Sequence, residues 1–113
     1  MKHVVITGST RGIGFGLARE FLKKGCKVVI SGRSENSVTK AVRELSSQFK
    51  PEHIVGIPCE VSKYSDVERL WQDAKKAFGS IDIWINNAGI PNPPKPVWEL
   101  SSEEIANTIN TDL

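Results

Sequence analysis

Long apolar runs are the first thing this chain lacks. No stretch approaches the ~20 apolar residues that a membrane-spanning helix needs, so no membrane partner is expected. The apolar start, Val4 to Ile6, is too brief for a secretory signal with basic, apolar and cleavage regions in order. Cysteine is scarce. Cys26 and Cys59 are the only two, far apart and without metal-ligand spacing. Two buried thiols in a reducing compartment account for them, and no metal is expected. Charge of one sign is missing too. Fifteen Lys and Arg stand against thirteen Asp and Glu, a net charge of +2. With no basic run standing out, nucleic acid is not an expected partner. No internal repeat or low-complexity segment is present. A chain of 113 residues makes at most one domain, short for a doubly wound fold with its substrate region.

What is present begins with Val4-Val5-Ile6-Thr7-Gly8-Ser9-Thr10-Arg11-Gly12-Ile13-Gly14. A short apolar run enters a glycine-rich turn, and an amphipathic pattern with Ile13, Leu17, Phe21 and Leu22 on one face follows at once. Strand, turn and helix are predicted in that order. Glycines at 8, 12 and 14 keep side chains out from between backbone and ligand. The helix then aims free N–H groups and the positive end of its dipole at the turn, which suits a phosphate. The spacing is Thr-Gly-x-x-x-Gly-x-Gly rather than Gly-x-Gly-x-x-Gly. Taken alone, the loop also fits an αβ connection with no ligand.

Strands and helices go on alternating. Strand two is predicted over 27–31 and helix two over 35–49, with Pro51 beyond its end. Strand three is predicted over 53–57. Ser65-x-x-Glu68 reads as a capping box for helix three, which Gly79 stops. Strand four covers 81–85, and four prolines make 90–97 a loop. Ser101-x-x-Glu104 then caps a fourth helix carrying Ile105, Ile109 and Leu113. This pattern predicts an α/β fold: a three-layer αβα, Rossmann-type, doubly wound parallel sheet. The predicted strand order is 3-2-1-4, and the single domain over 1–113 is expected to be incomplete at its C-terminus.

Strand two ends in Ser31-Gly32-Arg33. An acid near this point would hold a free ribose 2′-OH. Arg33 instead offers a planar, permanent cation suited to a phosphate, and Arg11 in the glycine loop is a second. The expectation is NADP(H) rather than NAD(H), against the alternative of two solvated arginines.

Strand four ends in Asn86-Asn87-Ala88-Gly89. Together with the Thr-Gly-x-x-x-Gly-x-Gly loop, this motif resembles the first half of the short-chain dehydrogenases/reductases. The run Ile81-Asp82-Ile83-Trp84-Ile85 is similar to the branch that includes chlorophyll b reductases. The resemblance implies an NADP(H)-dependent oxidoreductase that reduces carbonyls or oxidises alcohols by hydride transfer. It implies cofactor contacts at Gly8, Ser9, Thr10, Arg11, Gly12, Ile13, Gly14, Arg33, Glu60, Val61, Asn87, Ala88 and Gly89. Glu60 stands where the family commonly has an Asp that accepts from the adenine amino group, and a helix-capping role is the alternative. Asn110, in preference to Asn107, matches the family asparagine whose water relays protons to the catalytic lysine. It would lie in the fourth helix.

The family also needs a Ser and a Tyr-x-x-x-Lys pair. The only tyrosine is Tyr64, with Glu68 four residues on. The expectation is that this chain is the cofactor-binding half of a longer protein and inactive by itself. A non-catalytic nucleotide-binding module is the alternative. The resemblance further implies a small-molecule carbonyl or alcohol substrate and a homo-oligomeric full-length protein. Its location would be the cytoplasm, or an organelle stroma if a transit peptide has been removed.

Overall fold

The computed structural model describes residues 1–87 and the backbone of 108–110. Five strands form one parallel sheet: β1 (His3–Ile6), β2 (Lys27–Ile30), β3 (Ile54–Gly56), β4 (Ile83–Asn86) and β5 (Thr108–Asn110). Among the described residues, three α-helices link β1 through β4 in turn: α1 (Gly12–Lys23), α2 (Glu35–Ser46) and α3 (Tyr64–Phe78). The sheet order is β3-β2-β1-β4-β5, so the expected order 3-2-1-4 is present and one strand extends it. Val5 pairs with Val29 on one side and Trp84 on the other, which makes β1 the central strand.

Unbroken apolar strands suit this arrangement because both faces of the sheet are covered. Val4, Ile6, Val28, Ile30, Ile54 and Ile85 turn to one face, under Ala18 and Leu22 of α1 and Ala41 and Leu45 of α2. Val5, Val29 and Trp84 turn to the other, under Val67, Leu70, Trp71 and Ala74 of α3. The two tryptophan rings lie 5.4 Å apart at 40°, filling the α3 side. Cys26 and Cys59 are both buried free thiols. Among the described residues no helix is long and apolar enough to cross a membrane.

Three expectations need correction. Helix α2 stops at Ser46, not Phe49, because Gln48 and Phe49 both donate back to the Leu45 carbonyl and tighten the chain out of the helix. Helix α3 starts at Tyr64 behind Lys63, which makes no side-chain cap. The Ser65-x-x-Glu68 capping box is therefore not formed: Ser65 already lies inside the helix. The third correction concerns the predicted fourth helix. Thr108, Ile109 and Asn110 form a strand beside Trp84, Ile85 and Asn86. β4 would otherwise present a row of unpaired backbone groups, and two β-branched residues suit the pairing. The remainder of that predicted helix, and the predicted 90–97 loop, lie outside the described residues.

Candidate dinucleotide site

All the strands run parallel, so β1, β2, β3 and β4 end at the same edge of the sheet. Ligands of open α/β sheets bind beyond these carboxyl ends. There the loop after β1 holds Gly8 at φ 62° and Gly12 at φ 63°, in the left-handed region that side chains resist. Gly14 is needed for a different reason. A Cβ there would overlap the Gly8 carbonyl and stand 2.6 Å from Asn87 Nδ2.

Two clamps hold the loop. Asn87 donates from Nδ2 to the Gly8 carbonyl at 3.0 Å. Ser9 is wholly buried and turned inward: its N–H donates to the Ser31 carbonyl at 2.8 Å and its hydroxyl to the Ile6 carbonyl at 2.8 Å. Ser31 N–H donates back to Ser9 Oγ at 2.9 Å. The side chain and N–H of Ser9 are thus spent on tying β1 to β2, and it shapes the loop from behind. Arg11 stands at the N-cap of α1 in extended backbone without a side-chain cap, so among the described residues no side-chain cap meets the N–H groups of the first turn. Ile13, in that turn, is 58% exposed, unusual for a large apolar residue.

The loop borders an open cavity of about 410 Å³ lined by Gly8, Thr10, Arg11, Gly32, Arg33, Cys59, Glu60, Val61 and Ser62. A second cavity of about 270 Å³ adjoins it at the start of α2, lined by Thr10, Arg11, Arg33, Ser34 and Ser37. Six residues expected from the sequence therefore come together in the larger cavity: Gly8, Thr10, Arg11, Arg33, Glu60 and Val61. Gly12, Ile13 and Gly14 lie next to it in the first turn of α1. Ala88 and Gly89 lie outside the described residues. Asn110 is in strand β5, with its Cα opposite that of Asn86, and not on a helix.

Ser34, Ser37 and Ser62 were not singled out by sequence reasoning. Ser34 carried a signal, since it is a favoured N-cap type directly after Arg33. Its side chain accepts from Ser37 N–H. Glu60 is braced from two sides. Its carboxylate accepts from the Ser62 hydroxyl at 3.1 Å, and its N–H donates to Asp66 Oδ2 at 3.1 Å. The neighbouring Cys59 thiol is pushed up to about 11, first by burial and then by Asp66, with Glu60 adding to it and Arg69 opposing.

An uncapped helix start, glycines held at close approach and two cationic side chains at the carboxyl edge define a dinucleotide-binding fold of Rossmann type. The family model described as short chain dehydrogenase matches residues 2–113, and the chain belongs to that family of oxidoreductases. It is similar to the probable chlorophyll(ide) b reductase NYC1, chloroplastic, of Arabidopsis thaliana, at 42% identity over 99% of this chain and 26% of that protein. With the chlorophyll(ide) b reductase NOL, chloroplastic, of Oryza sativa subsp. japonica, it shares 46% identity over 97% of this chain and 32% of that one. The chain thus spans between a quarter and a third of the length of these relatives. Among solved structures it resembles L-sorbose reductase from Gluconobacter frateurii complexed with NADPH and L-sorbose. The TM-score is 0.73 at 30% identity, covering 90% of this chain and 38% of that one.

Proposed function

We propose that this chain is the NADP(H)-binding part of an oxidoreductase that interconverts a carbonyl and an alcohol. The observation that carries the reading is the pair of adjoining cavities at the carboxyl edge, with Arg11 and Arg33 in the walls of both. Two permanent cations beside the start of α2 suit a ribose 2′-phosphate, whereas a free 2′-OH calls for an acid, which the end of β2 lacks. The first turn of α1 would hold the pyrophosphate, and Glu60 with Val61 the adenine. Ile13 and Asn87 would flank the path toward the nicotinamide, as would Ala88 and Gly89. When bound, the dinucleotide supplies or takes the hydride. The residues named here bind and orient it, and the proton relay through Asn110 rests on the family resemblance alone.

The names of the relatives bring chlorophyll(ide) b into any substrate panel, and their chloroplastic location favours an organelle stroma over the cytoplasm. A homo-oligomeric full-length protein remains part of the proposal. The test is fluorescence titration of the protein in its full native reading frame with NADPH and NADH. NADPH should bind at least about tenfold more tightly, the share of one charge-assisted contact. Equal affinities would overturn the role given to the arginines.

A further inference from the structure

Gly32 follows the last residue of the Ser31 clamp, at the point where a nucleotide-reading acid would stand about 20 residues after the glycine loop. Its φ is not positive, so its backbone does not require glycine. Its surroundings do. A Cβ at Gly32 would stand 2.6 Å from Thr10 Cγ2 and 3.3 Å from Thr10 Oγ1. Both residues sit one step beyond hydrogen-bonded partners. Ser9 and Ser31 are joined by three bonds, of 2.8 Å, 2.9 Å and 3.4 Å, and the Gly32 carbonyl accepts from Cys59 N–H at 2.8 Å. Thr10 and Gly32 cannot draw apart without breaking buried bonds. Relief has to come from the β-branched Thr10 side chain, which is stiff at χ1.

We propose that the Thr10 methyl against Gly32 is a filter on the residue at position 32, barring the acid through which NAD(H) would be recognised. It rests on the NADP(H) reading above and deepens it. The methyl occupies the space through which a carboxylate at position 32 would have to rise to reach a 2′-OH. Arg33 attracts the phosphate, while Thr10 excludes the acid that would replace it. The two residues therefore act together, and changing position 32 alone moves the loop instead of creating a new contact.

The experiment is a double-mutant cycle in the full-length protein: Gly32→Asp, Thr10→Ser, which removes only the methyl, and the combination. Gly32→Asp alone should weaken NADPH about tenfold or more and bring no gain for NADH. The combination should bind NADH about tenfold more tightly than Gly32→Asp alone, the worth of one hydrogen bond to a charged group. If Gly32→Asp alone binds NADH as well as the combination, the filter does not exist.

Gly32→Ala gives an independent reading without nucleotide. Its thermal midpoint should fall, and it should recover when combined with Thr10→Ser. Equal losses in both backgrounds would overturn the proposal. Failure of the NADP(H) reading looks different: the unaltered protein would bind both dinucleotides equally while the Thr10–Gly32 coupling in thermal midpoint stood.

Discussion

Arg33 is exposed, so what it would add to a bound phosphate is limited by solvent. Arg33→Asp should reduce NADPH affinity by about 10–100-fold, from ~1.5–3 kcal/mol of charge-assisted contact and added repulsion. NADH affinity should change far less, and paired titrations check the ratio. Gly14 behaves oppositely, through space instead of charge. Gly14→Ala drives a methyl into the Gly8 carbonyl, and overpacking of this kind costs ~1–3 kcal/mol. Urea unfolding of the full-length protein should show that loss, with nucleotide binding weakened alongside it. Cys59 gives a pH prediction. Its folded pKa, about 11, lies above the ordinary 9.0. The neutral thiol is favoured by the fold, so this contribution is fully present below pH 9 and lost as pH rises through 11. Iodoacetamide should label native Cys59 far more slowly than unfolded Cys59 at pH 8, as measured by mass spectrometry; equal rates would contradict its burial.

Helix α3 shows how an element far from the glycine loop still shapes the cavity. Asp66, in its first turn, accepts the Glu60 N–H and thereby fixes the stretch that supplies Cys59 to Ser62. Asp66→Ala should cost ~1 kcal/mol in stability, by loss of one hydrogen bond, and should weaken adenine nucleotides more than nicotinamide mononucleotide in calorimetry. This partner was not legible beforehand. Ser65 and Glu68 carried the local capping spacing, but the acid in use is one that bonds to a residue six positions back. The strands and the glycine loop were legible because their signals, apolar runs and Gly8, Gly12 and Gly14, are local. The Asn87–Gly8 bond and the Thr10–Gly32 contact were not, since each joins residues that only the finished sheet brings together. Residues 108–110 of the predicted fourth helix depart from it for a related reason. Ile105, Ile109 and Leu113 keep helical spacing, yet Thr108 to Asn110 had an open strand edge to pair with.

For the molecule as a whole, residues 1–113 alone should transfer no hydride at a useful rate. Within them Tyr64 has no lysine four residues on, and a positioned proton donor contributes ~10²–10⁴-fold. The 113-residue chain and its full native reading frame should be compared for NADPH consumption with aldehydes, ketones and chlorophyllide b. Comparable turnover by the short chain would show that its catalytic groups lie elsewhere in these residues. The bond from Asn87 to the Gly8 carbonyl has a consequence in time. A polypeptide leaves the ribosome amino end first, so the glycine-rich turn is among the first parts made. Its clamp is supplied by one of the last described residues, after β4 has paired with β1. The Ser9–Ser31 clamp needs only β2, whereas this second fastening waits through the synthesis of three helices and three strands. If the proposed nucleotide reading holds, a nascent chain halted after α3, with β1 still lacking its β4 neighbour, should not retain NADPH.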